Sequence, residues 1–236
     1  MTKFRFGKYR ETDSMSRLLC ENYSTLLVLS RFGIALGFGD KNIGEVCQDN
    51  NVDTDTFLTV INLLLSDNQT VQYTETHFSI ESLIAYLHNS HTYFLDYRLP
   101  EIRVKLVEVL DPKEKDLNKA VLHYFDEYVS QVNKHMKYEE KTVFPYVYSL
   151  LAEEKKENYH IGIFSKRHEQ IEIKLTEFKH ILIKYYPAKS SNEINRVLFD
   201  IFNCEKDLTS HSAIEDCLLI PAIMELENKN RQTHEY

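Results

Sequence analysis

The sequence predicts an all-α protein: an up-down-up-down four-helix bundle preceded by a small helical domain. Three observations carry that expectation. Apolar residues recur every three to four positions over long stretches, the mark of amphipathic helices. Only six glycines and five prolines punctuate 236 residues, too few for a turn-rich sheet. The clearest breaks, Asp111-Pro112 and Pro187, stand where long helices would stop, and connections that short make successive helices antiparallel neighbours.

Residues 1–75 are expected to form the small domain and residues 76–236 the bundle. Within the first, helical patterns cover Ser14 to Leu29, Ile43 to Asn50 and Asp53 to Leu65. Asp53 or Asp55 starts the last of these by accepting hydrogen bonds from free backbone N–H groups. Gly33, Gly37, Gly39 and Gly44 crowd into one stretch, which lacks the GxxxxGK[ST] pattern of a phosphate loop and reads as tight turns. The polar run from Ser66 to His77 is the expected linker. The bundle helices are expected at 79–110, 113–151, 158–186 and 190–226. The second carries Leu117, Val121, Phe125, Tyr128 and Val132 on one face. The fourth opens with Ser190-x-x-Glu193, a capping-box pattern. A polar tail closes the chain.

Composition excludes several function classes. Forty-three per cent apolar and 27% charged residues are ordinary for a globular protein. The net charge is −8, with Lys and Arg scattered, so there is no basic stripe for a nucleic acid. No apolar run reaches the roughly 20 residues that span a bilayer, and the first residues lack the apolar core of a secretory signal. A cytoplasmic protein with no nucleic-acid or membrane partner is expected. The four cysteines form no CxxC pair and read as reduced thiols, mostly buried.

The chemistry lies in a repeat. His135, Glu139 and Pro145 in HMKYEEKTVFP match His211, Glu215 and Pro221 in HSAIEDCLLIP. A single histidine precedes each copy at nearly the same distance: His91 lies 44 residues before His135, and His168 lies 43 before His211. The His-x3-Glu spacing alone carries little weight, since His77/Glu81, His123/Glu127 and His168/Glu172 also have it. Those three pairs lack the trailing proline. Positions i and i+4 share one helix face, about 6 Å apart along the axis. Each pair can therefore point into a bundle core. Four histidines with two bridging glutamates would hold two metal ions and leave each short of six ligands. Such donors suit iron, manganese or zinc, and iron best where open positions serve small molecules. His88 and Glu172 are weaker candidates, Tyr138 a candidate hydrogen-bond donor nearby. His123, about 18 Å along the helix from His135, is too far away to join.

On these residues, 79–226 resembles a hemerythrin-like (HHE cation-binding) four-helix bundle. The order His91, His135-x3-Glu139, His168, His211-x3-Glu215, with FP and IP after the pairs, is most similar to the repair-of-iron-centres family, whose small N-terminal helical domain extends the likeness to nearly the whole chain. The resemblance implies two non-haem iron ions joined by an oxo or hydroxo bridge, with manganese or zinc as substitutes. Its ligands would be His91, His135, Glu139, His168, His211 and Glu215, the glutamates bridging. It implies nitrosative and oxidative stress, repair of damaged iron–sulfur proteins, and nitric oxide, oxygen or peroxide as small-molecule partners. No catalytic residue is assigned. Two departures matter. The family's Cys-Cys-Gly motif is replaced by Gly37-Phe38-Gly39, which favours the alternative of an oxygen or nitric oxide sensor. The His-x3-His pair of oxygen carriers is absent, because Phe164 and Glu172 flank His168.

Overall fold

The structure is a computed structural model and describes residues 9–66, 78–152, 159–163, 168–187 and 191–233; at 163, 168–170, 172, 191 and 231–233 it describes the backbone alone. Residues 67–77 of the linker expected from Ser66 to His77, and Ser190 of the expected capping box, lie outside the described residues. Among those residues there are eight helices and no strand, with one isolated β-bridge between Ser14 and Asn42. They are α1 (Met15–Glu21), α2 (Thr25–Arg31), α3 (Ile43–Asp49), α4 (Thr54–Leu64), α5 (80–109), α6 (115–151), α7 (His168–Tyr185) and α8 (191–233). None is long and apolar enough to cross a membrane. The chain divides into two compact units, Met1–Ser90 with Ala213–Tyr236, and His91–Ser212.

In the first unit the helix expected over Ser14 to Leu29 is two helices. Asn22 ends α1, donating from Nδ2 to the Leu18 carbonyl and the Tyr9 hydroxyl, while its own carbonyl takes the Thr25 hydroxyl at 2.6 Å. These local bonds offer the backbone an alternative to continuing the helix. Asp53 caps α4 as expected, accepting from the Thr56 N–H at 2.7 Å. Asn42 and Glu45 form a reciprocal capping box on α3. Gly33 follows α2 at φ +74°, where its N–H reaches the Ser30 carbonyl and the next N–H, of Ile34, reaches that of Leu29. That pair of bonds is a Schellman ending, which needs a left-handed residue. The start of α5 is tied to these short helices. Ser79 N–H donates to Thr56 Oγ1 at 2.9 Å, Asn89 Nδ2 to the Arg31 carbonyl at 2.7 Å, and Phe32 packs between Phe57 and Tyr86.

The second unit is a four-helix bundle. Contact pairs show each neighbour running antiparallel. Between α5 and α6, His91 meets Glu140 and Arg103 meets Asp126; between α6 and α7, Tyr124 meets Glu177 and Glu127 meets Lys174. Between α7 and α8, Thr176 meets Glu205 and Lys179 lies over the Phe202 ring; between α8 and α5, His211 meets His91 and Asp200 meets Arg98. A step forward along one helix is matched by a step back along the next. Phe94, Phe125, Tyr128, Phe178 and Ile201 are fully buried at the centre. The helix expected from residue 158 starts later: Ile161–Ile163 is a 3-10 turn, and Gly162 within it is a poor helix former.

Three long helices each contain one widened π-helical turn: Tyr93–Arg98 in α5, Glu139–Val143 in α6 and Glu215–Leu219 in α8. At each, the N–H just before a proline bonds five residues back: Leu99 to the Phe94 carbonyl, Phe144 to Glu139, Ile220 to Glu215. Proline has no N–H and its ring crowds the carbonyl four residues back, so the turn ahead of Pro100, Pro145 and Pro221 opens. Widened turns of this kind cluster at functional sites. Two of the three begin at the glutamates of the repeat.

Candidate metal centre

His135 and Glu139 stand on the last α-helical turn of α6 before it widens, and the Glu139 N–H still bonds to the His135 carbonyl. The α-helical spacing puts both side chains on one face. His91 reaches them from α5. The Glu139 carboxylate lies between the two imidazoles, with Oε1 2.8 Å from His135 Nε2 and Oε2 2.9 Å from His91 Nε2. His211, from α8, brings its Nε2 to 3.3 Å from His91 Nε2. His91 is 3% exposed, His135 9%, His211 2% and Glu139 0%.

His91, Glu139 and His211 offer ligand atoms within 4.8 Å of one another. Glu215, one turn beyond His211 on α8, is fully buried. His168 is the first residue of α7; its side chain and that of Glu172 lie outside the described residues. His88 is exposed on α5. His123 is 77% exposed and faces Glu127 one turn away. Tyr138 donates its hydroxyl to Tyr159 at 3.2 Å.

Three neighbours were not anticipated. Glu140 Oε1 lies 2.7 Å from His91 Nδ1. The Phe144 ring stacks on the His91 ring at 5.6 Å and 5°, and Phe94 meets His211 edge-on at 5.9 Å. One signal for Glu140 was present in the sequence: an acidic residue follows the paired glutamate in both copies, Glu140 and Asp216.

The donor set fits a metal. A buried carboxylate is costly unless it is paired or coordinates a cation, and Glu139 has lost all contact with solvent. What surrounds it is imidazole, the commonest metal donor, with nitrogens aimed at both of its oxygens. Imidazole with carboxylate is a set for iron, manganese or zinc, while magnesium and calcium prefer oxygen alone. Cys47 is buried, which pushes its thiol up to about 12, and Cys20 is exposed.

Buried histidines converging on a buried glutamate from the helices of one bundle define a helical cation-binding protein. The hemerythrin HHE cation binding domain matches residues 82–223, and the chain belongs to that family. No curated protein matches the chain.

Proposed function

We propose that this chain is a cytoplasmic non-haem di-iron protein of nitrosative and oxidative stress, acting in iron–sulfur cluster repair or in nitric oxide and peroxide chemistry at its own metal site. The supporting observation is the Glu139 carboxylate, fully buried with one oxygen against the imidazole of His91 and the other against that of His135. A carboxylate presented this way suits sharing between two cations. His91, His135, His168 and His211 would each hold an ion, and Glu139 and Glu215 would be shared between the ions. Bound iron would supply one-electron redox chemistry.

The protein's own groups prepare that site. Phe144 and Phe94 wall the histidines with buried rings, which excludes water and strengthens electrostatic contacts inside. Glu139 meets His91 of α5 and His135 of its own helix. Purification under iron-replete conditions, followed by metal analysis and the visible spectrum, tests the reading. About two irons per chain are expected from the two half-sites; no metal, or a single zinc, overturns it. Reactivation of a damaged iron–sulfur enzyme then separates repair from nitric oxide turnover.

One observation favours a second reading, a sensor of oxygen or nitric oxide. Where the repair family carries Cys-Cys-Gly, this chain has Gly37-Phe38-Gly39, with Gly37 and Gly39 in left-handed turns at φ 102° and 65°. No thiol pair is available there. A sensor would bind a protein partner differently in its oxidised and reduced forms, which a pull-down in both states distinguishes from repair.

A further inference from the structure

We infer that Glu140 is a positioning residue for the metal site, holding the His91 ring so that its Nε2 faces the metal position. The inference rests on the metal-binding reading above and assigns a role to a residue outside the six ligands. An imidazole can carry its proton on either nitrogen, and only the bare one binds a metal. A carboxylate at Nδ1 selects the form in which Nδ1 donates and Nε2 is left as the ligand. In this structure Glu140 Oε1 is 2.7 Å from His91 Nδ1, while Nε2 points at Glu139 and His211.

The widened turn of α6 explains how two consecutive residues reach opposite sides of one ring. In an α-helix, residues i and i+5 stand about 140° apart around the axis. Here the Phe144 N–H closes a turn onto the Glu139 carbonyl, so residue i+5 falls nearly beneath residue i. Glu139, Glu140 and Phe144 thereby share one side of α6. His91 touches all three: Glu139 at Nε2, Glu140 at Nδ1 and Phe144 across its face. The ring has no freedom to turn over while Glu140 is in place. Glu140 keeps 29% of its side-chain surface exposed, so it can be replaced without opening a cavity in the core.

The test compares wild type with Glu140→Ala and Glu140→Gln, using zinc as the probe. Competition against a chromogenic chelator should show zinc bound roughly 10–100-fold more weakly by the alanine variant. Glutamine, which keeps an oxygen to accept from Nδ1–H, should recover part of the loss. The second readout is nitrogen-15 NMR of the zinc-loaded, histidine-labelled protein. A His91 Nδ1–H signal slow to exchange with water is expected in wild type and the glutamine variant, and fast exchange in the alanine variant. A purely structural role would lower the metal-free melting temperature and leave the affinity unchanged; that result, or wild-type affinity with an unaltered Nδ1–H signal, overturns the inference. A wild-type protein that binds zinc keeps the metal reading intact in that event, whereas one that binds no metal at all sinks both together.

Discussion

Replacing Glu139 by glutamine tests the shared carboxylate with the least disturbance, because the side chain keeps its shape and loses only its charge and one oxygen. Each oxygen now lies within 2.9 Å of an imidazole nitrogen, His135 on one side and His91 on the other. With metal bound, each oxygen would instead face a cation, and a contact to a charged group is worth about 1.5–3 kcal/mol. Two of them give about 3–6 kcal/mol of metal binding, or on the order of 10²–10⁴-fold in affinity. Metal at about 1,000 times its dissociation constant stabilises the native state by about 4 kcal/mol. At roughly 2–4 °C per kcal/mol for a chain of this size, wild type should gain about 8–16 °C in Tm on adding Fe(II) anaerobically. The variant should gain at most a few degrees, because a loss of 3–6 kcal/mol removes most or all of the linkage. Differential scanning calorimetry with and without Fe(II), paired with iron analysis, reads both quantities. An E139Q protein whose Tm rises as much as wild type, with the same iron content, refutes the shared-carboxylate argument.

Other perturbations separate the site from its scaffold. His88→Ala should leave metal content and Tm within error of wild type, because His88 is exposed on α5; lost metal would show that the ligand set had been misread. Phe178→Ala removes a fully buried ring packed against Tyr124 and Phe125, which should cost about 3–5 kcal/mol and lower Tm by roughly 6–20 °C. The bundle should also weaken in acid through Asp200. Burial works to raise its carboxyl, but hydrogen bonds from Lys105 and Arg98 outweigh that and hold it below the usual carboxylate value. A depressed folded-state value means stability present in full above the unfolded value, ordinarily near 3.9 for Asp, and lost as pH falls through the folded one. Asp200→Asn should therefore cost about 1–2 kcal/mol at pH 7, with its difference from wild type closing as pH falls below about 4. An unchanged gap between urea midpoints at pH 7 and pH 3 would contradict the pairing.

Much of this architecture was legible because helix periodicity is local. Leu117, Val121, Phe125, Tyr128 and Val132 define one face of α6 from spacing alone, and four of them (Val121, Phe125, Tyr128 and Val132) are buried. The His-x3-Glu spacing likewise needed only the pitch of a helix to put His135 beside Glu139. The split at Asn22 was not legible, since it depends on the Tyr9 hydroxyl, a partner 13 residues away. Pro100, Pro145 and Pro221 mark the π turns in hindsight, yet a proline inside a helical pattern can also kink the helix or end it.

What the sequence determined by itself is therefore which residues lie on a common helix face, because dihedral preferences and hydrogen-bond spacing act over a turn or two. Tertiary structure decided which of those faces meet. His88 and His91 are three residues apart on α5, but one is exposed and the other is held between Glu139 and Glu140 of α6 and His211 of α8. Spacing could not separate them, because the difference lies in the packing of neighbouring helices. The same holds for Glu140, whose place at His91 follows from a turn widened ahead of Pro145 and from the helix that α6 packs against.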